Sequence, residues 1–77
     1  MRIGVRLQLN FRDMTPHGEN LFHMEAAPGS TVAEVLKILA IPDSTPKVII
    51  VNGRAAKPSQ ELTDGDLLTL FPPVAGG

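Results

Sequence analysis

Apolar residues alternate with small or polar ones from Ile3 to Phe11. Ile3, Val5, Leu7, Leu9 and Phe11 fall on one side, and Arg2, Gly4, Arg6, Gln8 and Asn10 on the other. A period of two predicts a strand with one face on a core and the other in water. Residues 12–20 contain Pro16, His17 and Gly18 and read as loop. A shorter strand is expected near Leu21 to Ala27, with Phe22, Met24 and Ala26 on one face and His23 and Glu25 on the other. Pro28-Gly29 breaks it.

The period then changes. Val32, Val35, Leu36 and Leu39 lie at i, i+3, i+4 and i+7, the spacing of one helical stripe. Thr31 followed three residues later by Glu34 forms a capping-box signature at its start. Pro42 disfavours helical geometry at Ile41, so the helix is expected to end near Ala40. After a loop containing Pro46, Val48-Ile49-Ile50-Val51 reads as a short buried strand. Asn52-Gly53 is a strong hairpin signal, because both residues tolerate positive φ, and Arg54 to Ala56 reads as a brief return strand. Leu62 is expected to plug the core beneath the loop that begins at Lys57. Thr63-Asp64-Gly65-Asp66 reads as a turn, and Leu67 to Phe71 as the last strand. Pro72 and Pro73 end that strand, since neither donates to a ladder.

Two strands, a helix and two or three further strands predict an α+β layer pair with the helix covering one sheet face. The favoured arrangement is a β-grasp fold, a mixed four- to five-stranded sheet in which the first and last strands lie parallel at the centre. Residues 1–71 would form the domain and 72–77 a flexible tail.

Composition narrows the function. A 77-residue chain makes one small domain. With no cysteine it has neither disulfides nor a thiol nucleophile, which fits a reducing cytoplasm. The net charge of −1 gives no electrostatic footprint for nucleic acid. No apolar run approaches the ~20 residues of a membrane span. The first residues already read as strand, so no signal peptide is expected. His17 and His23 have no third ligand near them, and Asp64-Gly65-Asp66 lacks the further oxygens of a calcium loop, so no metal site is expected. No nucleophile motif or phosphate loop occurs. A one-helix fold of this size has little room for a substrate pocket, so the chain is read as a carrier rather than an enzyme.

What remains is the closing segment Phe71-Pro72-Pro73-Val74-Ala75-Gly76-Gly77. A carboxylate behind two glycines can enter a slot too narrow for any side chain. Pro72 and Pro73 favour polyproline geometry and stiffen the root of the arm. Val74 and Ala75 supply small apolar contacts. Extended, residues 72–77 span roughly 20 Å, enough to carry the Gly77 carboxylate into a partner's active site. A carboxylate is a poor electrophile; converting it to an acyl-adenylate supplies a leaving group, and sulfur can then replace oxygen. Leu67 and Phe71 share the outward face of the last strand with Thr69 and are candidates for partner docking, with Arg6 and Gln8 at the edge. Arg2 and Arg6 also read as solvated strand charges.

The pieces Val51-Asn52-Gly53, Leu62-Thr63-Asp64-Gly65-Asp66 and Phe71 to Gly77, in this strand and helix order, resemble the ubiquitin-like sulfur carriers of the MoaD/ThiS family. The closing segment is similar to that of the small subunit of molybdopterin synthase. The resemblance implies that Gly77 bears the sulfur as a thiocarboxylate, with Gly76 beside it in the partner's channel. It implies an E1-like adenylating enzyme that consumes ATP, a sulfur donor enzyme, and either a large synthase subunit or a thiazole synthase as partners, with no cofactor bound by the chain itself. Sulfur delivery to molybdopterin is the leading expectation; the thiamine thiazole pathway, nearer in chain length, and a ubiquitin-like protein modifier are the alternatives.

Overall fold

The computed structural model describes residues 1–8, 21–42 and 44–73. The elements are β1 (Arg2–Leu7), β2 (Leu21–Glu25), α1 (Val32–Ile38), β3 (Val48–Val51), β4 (Arg54–Ala55) and β5 (Leu67–Phe71). The five strands form one sheet in the order β2-β1-β5-β3-β4. β1 and β5 run parallel, with Gly4 opposite Leu67 and Leu7 opposite Leu70. The other pairs are antiparallel. This is the β-grasp arrangement, with both central strands paired on each side.

The core lies between α1 and one sheet face. Ile3, Val5 and Leu7 of β1, Leu68 and Leu70 of β5, and Val32 and Val35 of α1 are fully buried, with Leu36, Ile41 and Leu62 nearly so. Each such side chain contributes about 1.5–3 kcal/mol by leaving water. Leu62 thus plugs the core as the pattern predicts.

The start of α1 is closed from two directions. The Glu34 N–H donates to Thr31 Oγ1 and the Thr31 N–H donates to Glu34 Oε1, each at 3.3 Å, completing the capping box. The Val32 and Ala33 N–H groups donate to the carbonyls of Gln60 and Pro58 at 2.9 Å. The loop from Lys57 therefore supplies acceptors that the helix start would otherwise lack, a role its sequence gives no sign of.

Several boundaries differ from expectation for identifiable reasons. Among the described residues β1 runs to Leu7, opposite Leu70 of β5. Leu9, Asn10 and Phe11 and the loop containing His17 lie outside the described residues. β2 stops at Glu25 rather than Ala27, since Glu25 already faces Arg2 at the start of β1. The helix ends at Ile38, and Ala40 takes φ 61°. The Ala40 N–H donates to Lys37 O and the Ile41 N–H to Leu36 O, a Schellman cap in which alanine occupies the position that favours glycine.

Candidate functional site on the open sheet face

The sheet face turned away from α1 is built from alternate residues of every strand. On β5 these are Leu67, Thr69 and Phe71, all half-buried, while Leu68 and Leu70 point into the core. The registers place Leu67 beside Gly4, Thr69 between Arg6 and Ile50, and Phe71 beside Val48. Leu21 follows next to Arg6 on the far side of β1. Leu21, Leu67, Phe71, Val48 and Ile50 thus form a partly exposed apolar stripe across the strands, with Arg2 and Arg6 among them.

The sequence reading identifies Leu67 and Phe71 but not Val48 and Ile50. Four consecutive apolar residues suggest a strand buried on both faces. Only Ile49 and Val51 are buried; Val48 and Ile50 are half-buried on the open face. The available signal is Thr69: a polar residue on the neighbouring strand marks this face as unburied, and Ile50 is its cross-strand partner.

The tail leaves from the end of β5. That strand is held by β1 on one side and β3 on the other, and the Gln8 N–H adds a 3.0 Å bond to Leu70 O just before the exit. Pro72 is half-buried and Pro73 is exposed. Val74, Ala75, Gly76 and Gly77 lie outside the described residues.

At the opposite end of β5 a polar clamp fixes the strand's start. Asn52 (φ 52°) and Gly53 (φ 83°) make the two-residue turn between β3 and β4. Asn52 Nδ2 donates to Asp66 Oδ1 at 2.8 Å, while its Oδ1 accepts from the Leu67 N–H at 2.9 Å. Asp66 Oδ2 accepts from the Thr63 N–H at 2.8 Å. Partial burial pushes the Asp66 carboxyl up, but the Thr63 N–H, Asn52 and the Thr63 hydroxyl outweigh it, and the net displacement is below the ordinary value. Asp64 Oδ1 accepts from the Arg2 N–H at 2.7 Å, tying the same end to β1.

Among the described residues no three His, Asp or Glu side chains gather as a metal site, and no helix is long and apolar enough to cross a membrane. The open face offers a surface with a strand-anchored exit beside it.

The sequence pattern of the ThiS family matches residues 8–77. No curated protein matches the chain. Among solved structures, the chain is similar to the HVO 2177 protein of Haloferax volcanii, at 30% identity and TM-score 0.80, covering all of this chain and 87% of that one. It is also similar to a chain of the complex of subunits 1 and 2 of the molybdopterin-converting factor from Helicobacter pylori, at 26% identity and TM-score 0.66 over the whole of both chains. A likeness of fold at 21% identity extends over the whole of both chains to SAMP1 from Haloferax volcanii, with TM-score 0.79. With the family pattern spanning most of the sequence and the β-grasp sheet in place, the chain belongs to the ThiS family of ubiquitin-like sulfur carriers.

Proposed function

We propose that the Gly77 carboxylate is the working group and that the folded domain presents it to partners. An E1-like enzyme transfers AMP from ATP to the carboxylate, releasing pyrophosphate. A sulfide equivalent from a sulfur donor enzyme then attacks the acyl carbon and expels AMP, leaving a thiocarboxylate. Its sulfur is nucleophilic at neutral pH and passes to a cofactor precursor. Gly76 lets the arm pass the partner's constriction, and Pro72 and Pro73 hold the arm off the sheet. Leu67 and Phe71 dock the domain. The chain itself binds no cofactor and is a substrate of its activating enzyme.

The observation that carries this reading is the exit of the Pro72-Pro73 segment from a strand paired on both sides, in a chain of the ThiS family. Molybdopterin synthesis is the favoured acceptor pathway, supported by the double proline and by the similarity to a chain of the molybdopterin-converting factor complex. The large synthase subunit is then the second partner. Protein modification through Gly77 is the second reading, raised by the likeness of fold to a structure described as small archaeal modifier protein 1 of H. volcanii; it requires conjugates of higher mass on a denaturing gel.

The test is ATP–pyrophosphate exchange by the adenylating enzyme, with this chain's terminal carboxylate as the acceptor of AMP. Exchange should require the chain and vanish on deletion of Gly77. Exchange that survives that deletion contradicts the proposal. In cells lacking the chain, loss of molybdenum-cofactor activities with normal thiamine supply supports the favoured pathway, and the reverse assigns the thiazole pathway.

A further inference from the structure

β2 forms one margin of the sheet, and its outer edge has no partner among the described residues. The Met1 ammonium donates to Ala26 O at 2.8 Å and the Ala26 N–H donates to Met1 O at 2.9 Å, so Met1 and Ala26 are a reciprocally bonded pair. Bonded and non-bonded pairs alternate along an antiparallel ladder. By the register, Phe22 and Met24 turn their N–H and C=O groups toward β1, and Leu21, His23 and Glu25 turn theirs away. A row of backbone donors and acceptors therefore lines this edge, a template for another strand.

Nothing within Leu21–Glu25 blunts the edge. The segment contains neither lysine nor proline, and its register with β1 runs without a bulge. The opposite margin, β4, is two exposed residues long and offers much less to pair with. The core is also incomplete beneath β2. Phe22 and Met24, opposite Val5 and Ile3, pack against the core yet stay half-buried. Apolar surface thus lies open beside the outward backbone groups.

We propose that this edge pairs with the same edge of a second copy of the chain, about a two-fold axis perpendicular to the sheet at His23. The outward-turned residues are symmetric about His23, so one antiparallel register satisfies them all. His23 stands opposite the second copy's His23, and Leu21 opposite its Glu25, each pair exchanging both backbone bonds. Phe22 then faces the second copy's Met24, an aromatic–thioether contact that covers the half-buried apolar surface of both copies. On the open face Glu25 lands beside the second copy's Leu21, roughly 10 Å or two strand spacings from its Arg6, a residue with no ion pair among the described residues. An unrelated strand would have to reproduce this order of side chains; a second copy supplies it by symmetry. The interface is small, so association is weak and concentration-dependent. Both open faces lie on the same side of the joined sheet and the two β5 strands end in opposite directions, so pairing leaves both β5 ends uncovered.

The experiment is sedimentation of the full chain from micromolar to millimolar concentration. Wild type should shift from monomer to dimer as concentration rises. His23→Lys and His23→Asp each set like charges opposite one another across the axis and should weaken self-association about tenfold. Mixed together, the two variants should pair with each other more tightly than either pairs with itself, a recovery specific to a register that sets His23 against itself. Lys37→Glu on exposed α1 should self-associate as wild type does. The chain has no cysteine, so His23→Cys gives a single thiol. Opposed Cα atoms about 5.5 Å apart lie within disulfide range, so oxidation with diamide should give a covalent dimer, which Lys37→Cys should not. A chain that stays monomeric throughout overturns the proposal, and so does a dimer indifferent to both His23 charge variants. Should a charge variant lower the melting temperature, the two cysteine variants make the same distinction.

Discussion

At the scale of single residues, strain and charge are concentrated in a few positions. Ala40 sits at φ 61° in the Schellman cap of α1. An L-residue with a Cβ is strained there, at a cost of about 1–2 kcal/mol, partly offset by the greater entropy glycine loses on folding. Ala40→Gly should therefore stabilise the domain by about 0.5–1 kcal/mol, read as a higher denaturation midpoint at unchanged m-value. A lower midpoint would mean that Ala40 makes a packing contribution larger than its strain. Asp66 gives a pH signature. Its folded pKa lies below its ordinary value, so the ionised carboxylate contributes stability that is complete above the unfolded pKa and is lost as pH falls through the folded one. Asp66→Asn should lower stability at neutral pH and flatten its decline below about pH 4. Parallel pH curves for the two proteins would assign the acid sensitivity to other carboxylates.

At the scale of elements, β5 joins the two halves of the molecule's work. Its inward side chains, Leu68 and Leu70, are fully buried, and its outward ones, Leu67 and Phe71, are half-buried on the open face. Substitutions on the two faces should therefore separate stability from partner binding. Leu70→Ala should cost about 2–5 kcal/mol. Phe71→Asp should change stability much less, because it creates no core cavity, yet reduce binding to the activating enzyme. Chemical denaturation and partner titration on both variants check this. A Phe71→Asp variant that binds normally would remove Phe71 from the docking surface. The α1 stripe illustrates what an element reveals in advance. Val32, Val35 and Leu36 are buried and the capping box forms as Thr31 and Glu34 imply. The closing geometry was less legible: Pro42 explains why the helix stops, but the cap that stops it at Ile38 depends on a backbone conformation at Ala40 that alanine does not advertise.

At the scale of the whole molecule, alternation and turn chemistry carried most of the fold. The turn residues Asn52-Gly53 join β3 to β4 in the expected place, and the parallel β1–β5 pair follows from a β-grasp reading of the element order. The contacts that join distant segments were not legible. The Gln60 and Pro58 carbonyls that close the start of α1, and the Asn52 side chain that grips Asp66 and the Leu67 N–H, depend on loop paths that local pattern does not encode. The open face was half legible, because Leu67 and Phe71 stand out against Thr69 whereas Val48 and Ile50 are hidden in a uniformly apolar run. Gly4 reads as one more small residue in an alternating strand; only the sheet register places His23 of β2 and Leu67 of β5 on either side of it.

In the proposed function the domain serves as a handle and its closing residues as the reactive arm. The most direct test is the mass of the intact chain isolated from its own cells under sulfur-replete conditions, beside a chain lacking Gly77. The expected result is a fraction of the full chain heavier by one oxygen-to-sulfur exchange located at Gly77, with no such fraction in the deleted chain and an unchanged melting temperature for both. A full chain of ordinary mass throughout, with the activating enzyme present, would contradict the assignment of Gly77 as the sulfur-bearing residue.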